Sequence, residues 1–279
     1  ETDITQNAGT ILTASSGNAT TFSIFSAGSG NITLDNANSF ATLSPIQLSG
    51  NDIVLRNIVA STIGTTTATG NLTLNAGAAN IGIILGTGTG AGIGQNLTVN
   101  GLTTVAATGT GTITDNDYST FNLLAGMNLT SGTGAITMDA ANALASLSPR
   151  ASYGAVNGST GGAFTIVETT TLNLGNITAG SLTATSVQGG IVDTGPITIT
   201  GGGSASLTAN ATQSVVLDNA TNVLSNLSFG GGVNNSVTNL NSNVSIAGTT
   251  TGTGNITIGT NAGRLITICL LYTSPSPRD

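Results

Sequence analysis

Two short motifs recur along the chain at the same long interval, and that recurrence constrains the fold more than any other feature of the sequence. The first reads GNITLDNANSFATLS from Gly30, GAITMDAANALASLS from Gly134 and SVVLDNATNVLSNLS from Ser214, the last with one inserted residue. Its aspartates, Asp35, Asp139 and Asp218, are separated by 104 and 79 residues. The second motif is glycine-asparagine-aliphatic-threonine, at residues 70–73, 175–178 and 254–257, with spacings of 105 and 79. Long repeats therefore start near residues 30, 134 and 213. The intervals between the two motifs, about 40, 64 and 38 residues, all lie near multiples of roughly 20, the turn length of a β-solenoid. On this reading a long repeat holds five coils and the short one four. A solenoid can gain or lose a coil without disturbing the others, because each coil touches only its neighbours.

Between the corners the sequence alternates with the period of two that a strand requires. Ile32 and Leu34 flank Thr33, Leu72 and Leu74 flank Thr73, Leu97 and Val99 flank Thr98, and Ile197 and Ile199 flank Thr198. Ile256 and Ile258 flank Thr257 in the same way. One face is aliphatic and points inward; the other carries threonine, which suits an exposed strand. Glycine and asparagine punctuate the strands, as expected if they supply positive φ angles at tight corners. The expected fold is all-β, a parallel β-solenoid of about 13 coils of roughly 20 residues, forming a rod on the order of 60 Å long at about 4.8 Å per coil.

Composition agrees with an extended β-structure and narrows the chemistry. The chain has 279 residues, of which 40 are glycine and only 5% are charged, with a net charge of −7. Helix-favouring residues are scarce: lysine is absent, and Glu1 and Glu168 are the only glutamates. A disordered chain would combine low hydrophobicity with high net charge, whereas this one is 38% hydrophobic. Residues Cys269 to Asp279 read CLLYTSPSPRD, which resembles the translation, in one frame, of a transposase adapter from a sequencing library. We treat 269–279 as an artefactual tail and 1–268 as a single solenoid region. The chain's own cysteine count is then zero, leaving neither a disulfide framework nor a cysteine metal site. No signal peptide or membrane-length apolar run is visible, and we expect an internal fragment of a longer chain.

The runs GNLTLNAG, NLTVNGLTTVAA, LGNITAGSLTATS and GPITITGGGSASLTA, interleaved with ITLDNANSF and ITMDAANAL, resemble the central repeats of filamentous-haemagglutinin-type exoproteins. These large bacterial surface proteins are exported by two-partner secretion or as autotransporter passengers. The resemblance covers essentially all of residues 1–268. It implies a right-handed parallel β-helix, a secreted or cell-surface location, and a role in adhesion or biofilm. It also implies an outer-membrane secretion partner and contact with host or neighbouring-cell surface glycans or proteins. Its repeats form a shaft, and no motif residue carries a transferable activity. Further coils of the full-length chain would be the immediate neighbours.

The residue inventory excludes most active-site chemistry. Without histidine there is no Ser-His-Asp triad and no histidine zinc site. Without lysine there is no P-loop, and the run from Gly86 to Gly94 does not have dinucleotide spacing; it reads as a corner or loop. Only Arg56, Arg150 and Arg264 are positive before the tail, so phosphate neutralisation, the main source of nucleic-acid affinity, is not on offer. The expectation is a non-catalytic chain without a cofactor. The alternative is a carbohydrate-active β-helix enzyme or a calcium-dependent glycan-binding module. For that role the candidates are Asp115 and Asp117, two residues apart, with Asp139 stacking from the next coil. The competing reading of these residues is turn chemistry. Asp35, Asp139 and Asp218 are too far apart to share an ion and should bond their own backbone in turns. Phe40, Leu144 and Leu224, with Leu43, Leu147 and Leu227, occupy equivalent repeat positions and read as core. Tyr118 and Tyr153 are candidates for exposed aromatic contacts. Sequons such as Asn31-Ile32-Thr33 follow from a corner asparagine preceding a strand and are not read as glycosylation signals. Uncapped solenoid ends, finally, expose unpaired strand edges and should promote association.

Overall fold

The computed structural model describes residues 2–14, 22–40, 45–86, 96–116, 120–142, 155–248 and 255–270. These residues form a right-handed parallel β-helix of about ten turns. Its strands fall into two fourteen-stranded sheets in which every pairing between named strands is parallel. The first sheet runs from Ile4–Thr5 through Ile32–Phe40, Ile53–Asn57 and Leu72–Ala76 to Ile256–Gly259. The second ends in Ile266–Leu270, a strand that continues two residues past the start of the adapter-like tail.

Each aliphatic residue of the alternating pattern stacks on its counterpart one coil away. Ile4, Ile32, Ile53 and Leu72 stand in register in the first sheet. In the second, Ile113, Ile136, Phe164, Leu182, Ala205, Leu227 and Ile246 form one column. All but the terminal Ile4 are buried, and the buried apolar residues form one continuous core cluster along the rod. Phe40, Leu224 and Leu227 lie in that core as expected; Leu43, Leu144 and Leu147 lie outside the described residues.

Coil length is less regular than the sequence suggests. In-register partners are 18 residues apart from Phe164 to Leu182 and 31 apart from Leu72 to Thr103. The expected 13 coils of roughly 20 residues therefore become about ten, and the rod is about 50 Å long at the ordinary strand spacing. The long coil contains the glycine run, of which residues 87–94 lie outside the described residues. The first motif lies in the first sheet at Ile32–Phe40 and Val215–Leu217, but in the second sheet at Ile136–Asn142. Sequence repeat and coil therefore do not advance in step.

The irregularities have local causes. From Leu34 to Asn38 the motif strand covers four residues against two, Leu55 to Asn57, on its neighbour. The same excess occurs from Met138 to Asn142 against Ile166 to Glu168. The segment after the motif aspartate is thus a bulge that takes the strand around a corner. Packing also compensates across coils. Gly158 stands in register with Leu129, and the space a side chain would fill there is taken by the fully buried ring of Phe164.

Gly158→Ala should consequently destabilise the fold by about 1–3 kcal/mol through overpacking. Adding Phe164→Leu should recover part of that loss. Urea unfolding midpoints of the two single variants and the double variant test the coupling; strictly additive effects would contradict it.

Candidate functional site

The carboxylates singled out above are partly brought together. Asp115 ends the strand Ile113–Asp115, and its Oδ1 accepts the backbone N–H of Asp139 on the next coil at 3.0 Å. Asp117 lies outside the described residues, as do Tyr118, Tyr153 and Arg150. Among the described residues no three acidic, histidine or cysteine side chains are grouped so as to hold a metal ion. The same contact recurs further along: Asp193 Oδ1 accepts the N–H of Asp218 at 2.9 Å. The amides of Asp139 and Asp218, rather than their exposed carboxylates, are therefore engaged, and the partner is the preceding coil rather than their own turn. Asp115 and Asp193 make the same contact at two levels of the rod, each receiving the amide of a motif aspartate from the following coil.

The corners before the strands are built differently from expectation. Among the described residues only Asn80 is a non-glycine with positive φ, at 64°. The other corner asparagines act through their side chains. Asp3 Oδ1 accepts the N–H of Asn31 at 2.8 Å; Asn31 Oδ1 accepts that of Asp52 at 3.1 Å. Asp52 Oδ1 accepts that of Asn71 at 2.8 Å, and Asn71 Oδ1 that of Leu102 at 2.9 Å. Each acceptor immediately precedes a first-sheet strand, so one relay crosses five coils. Asn157 to Asn176, at 2.7 Å, and Asn234 to Asn255, at 3.1 Å, repeat the link. This explains the glycine-asparagine pair. A Cβ on Gly70 would overlap Asp52 Oδ1, and one on Gly175 would overlap Asn157 Oδ1. Glycine makes room for the incoming side chain and asparagine passes the bond onward. At Pro196, one coil beyond Asn176, there is no N–H to receive it.

A second set of asparagines is buried. Asn38 is 0% exposed; its Oδ1 accepts from Gln6 Nε2 at 2.6 Å and from the Leu12 N–H at 3.0 Å. Its Nδ2 donates to the carbonyls of Leu34 and Arg56 at 3.1 and 3.2 Å, so one amide ties three coils. Asn222 holds the corresponding place in the third repeat. It accepts from the Ile197 N–H at 2.8 Å and donates to Asp193 Oδ2 at 2.7 Å. One coil on, Asn57 accepts the Phe40 N–H and donates to the Phe40 carbonyl and to Ser61 Oγ. Asn239 does the same with Leu224 and Ser242. Sequence reasoning settled on the aspartates and passed over these asparagines. The available signal was the polar residue kept just before Phe40, Leu144 and Leu224, at Asn38, Asn142 and Asn222.

Among the described residues two acidic side chains are deeply buried. Glu168, 1% exposed, accepts from the N–H and hydroxyl of Thr170 at 3.0 and 3.1 Å. Asp193 is 7% exposed, and burial pushes its carboxyl above the ordinary range, outweighing the lowering effect of its bonds from Asn222, Asp218 and Asn219. Asp193 ties its coil to the next, whereas Glu168 caps its own turn through Thr170; both are acceptors occupied by protein donors.

Two outcomes follow. Asn38→Ala leaves the half-buried Leu12 N–H and the buried Leu34 carbonyl without this partner, and should cost about 1–3 kcal/mol, whereas Asp35→Ala should stay within about 0.5 kcal/mol; chemical denaturation measures both. Because folding raises the Asp193 pKa, its contribution is fullest in acid and declines as pH rises through the folded pKa. The melting temperature of the parent minus that of Asp193→Asn should therefore fall between about pH 3 and pH 7, whatever its sign at the start. A flat difference would contradict the assignment.

A family described as repeats of unknown function (DUF5649) matches residues 1–46 and 161–229. These stretches include the Gln6–Asn38 and Asp193–Asn222 pairs, two copies of one corner device. No curated protein and no solved structure matches the chain.

Proposed function

We propose that this chain is a non-catalytic shaft segment of a large secreted or cell-surface bacterial exoprotein, projecting a binding region for adhesion or biofilm formation. The observation that carries this reading is the use made of polar side chains. The conspicuous carboxylates and asparagines, Asp3, Asp52, Asp115 and Asp193 with Asn38, Asn71 and Asn222, hold one coil to the next. A rod assembled this way sets a distance, which grows by about 4.8 Å with every coil. The repeat style shared with filamentous-haemagglutinin-type shafts supports the same role, and such shafts leave the cell through an outer-membrane partner and meet surface glycans or proteins at their tips. The calcium-dependent or carbohydrate-active alternative gains nothing from the geometry of Asp115, whose Oδ1 accepts the Asp139 amide.

Surface display tests the proposal. The segment is placed between an outer-membrane anchor and a short peptide epitope, in cells with long surface polysaccharide. Antibody access to the epitope should rise with the number of coils and stay unchanged on Asp115→Ala or on calcium removal. Access that is independent of coil number, or a stoichiometric calcium event in calorimetry lost in Asp115→Ala, would overturn it.

A further inference from the structure

We infer that Asn100 is a self-modification site: the backbone nitrogen of Gly101 attacks its carboxamide, ammonia leaves, and water opens the resulting succinimide to aspartate or isoaspartate. The inference is independent of the shaft reading and concerns the chemistry of one corner.

The chain holds two asparagine-glycine pairs, Asn100–Gly101 and Asn157–Gly158. Asparagine is among the thermolabile residues, and a glycine after it leaves the attacking nitrogen without a shielding Cβ. The structure treats the two pairs differently. Asn157 lies inside the strand Val156–Ser159, and both ends of its carboxamide are held. Its Nδ2 donates to Asn128 Oδ1 at 2.8 Å, and its Oδ1 accepts the Asn176 N–H at 2.7 Å. Gly158 is buried and stands in register with Leu129 on one side and Ile177 on the other. Turning the Asn157 carboxamide onto the Gly158 nitrogen requires breaking both side-chain bonds and opening the sheet.

Asn100 lacks this protection. It is exposed in the bend between the strands Asn96–Val99 and Thr103–Ala106. Its carboxamide makes no hydrogen bond to any of the described residues. The nucleophile is held by one bond, from the Gly101 N–H to the Gly70 carbonyl at 2.8 Å.

The fold itself fixes the glycine. A Cβ on Gly101 would overlap Asn71 Oδ1 and the Gly70 carbonyl, because the Asn71 side chain crosses here to accept the Leu102 N–H. Three other glycines stand just ahead of an amide received in this way, Gly30, Gly70 and Gly175. They follow Ser29, Thr69 and Leu174, none of which can form the imide. Of these four corners, only the one at Gly101 places an asparagine before its obligatory glycine.

The step balances. A bond forms between Gly101 N and Asn100 Cγ, the carboxamide C–N bond breaks, and the Gly101 proton leaves with the amino group as ammonia. Water then adds at either carbonyl of the imide. Cleavage at the main-chain carbonyl gives isoaspartate, whose backbone runs through the side-chain methylene. The corner is then longer by one carbon, which displaces the Gly101 and Leu102 amides from the Gly70 carbonyl and Asn71 Oδ1. Modification therefore cuts the relay at this coil.

The test ages the full chain in mildly alkaline buffer, native and in urea, beside an Asn100→Ser variant that carries the residue type found at Ser29. Electron-transfer fragmentation in the mass spectrometer locates each amide-to-acid conversion and separates aspartate from isoaspartate. In the native chain Asn100 should convert at least about tenfold faster than Asn157, as expected when an exposed corner opens more readily than a paired strand. In urea the two pairs should convert at similar rates, since local structure alone separates them. The aged parent should melt at a lower temperature than the equally aged Asn100→Ser form. Native Asn100 that stays intact, Asn157 that converts as fast, or a rate difference that survives in urea would each overturn the inference. Equal melting of the two aged forms would overturn the break in the relay.

Discussion

The fold depends on how a parallel stack satisfies its backbone at the corners. Along the strands backbone N–H groups pair with carbonyls one coil away, but the ladder breaks where the chain turns, and an unpaired amide near the core is costly. Here the amide entering a strand is received by an aspartate or asparagine from the coil before it. The relay from Asp3 through Asn31, Asp52 and Asn71 to Leu102 shows the arrangement in full. It accounts for the glycines ahead of Asn71 and Asn176, where a Cβ would overlap the incoming side chain. It also leaves the sequence between corners free to vary, so that neighbouring coils can be 18 or 31 residues long.

The buried asparagines meet the same demand where the chain bulges. A bulge frees several backbone groups at once, and a carboxamide can donate and accept together. Asn38 does so across three coils, and Asn57 closes both the N–H and the carbonyl of Phe40. Where Gln6 partners Asn38, Asp193 partners Asn222. The carboxylate takes three donors at the price of a raised pKa from burial.

Much of the architecture was legible because period-two alternation is a direct consequence of strand geometry. Ile32, Leu34, Leu72 and Leu74 lie inward as their spacing requires. The repeat interval indicated a solenoid but not its exact coil length, since bulges and long corners add residues without adding a level. Corner glycines such as Gly28, Gly109 and Gly126 take positive φ as expected, but the corner asparagines were identified correctly and explained wrongly. Asparagine at a turn suggests left-handed backbone, whereas only Asn80 among the described residues adopts it. The difference is invisible in one sequence because a capping side chain bonds to a residue about 20 positions away. Asp115 and Asp139 attracted attention as carboxylates, although one is a cap and the other contributes its amide. Asn38 and Asn222, which carry more of the structure, look in sequence like ordinary turn residues.

Native-state hydrogen exchange, read residue by residue by NMR, tests this account most directly. The corner amides of Asn31, Asp52, Asn71 and Leu102 are exposed positions that a simple turn would leave open to solvent. If the relay holds the coils together, these amides should exchange at least a hundredfold more slowly than in an unstructured chain, as expected for hydrogen-bonded amides released only by local opening, and in the Asn71→Ala variant protection should drop at Leu102 first. Exchange of all four amides at unprotected rates, while the flanking strand amides stay protected, would contradict the relay as the interaction on which the fold depends.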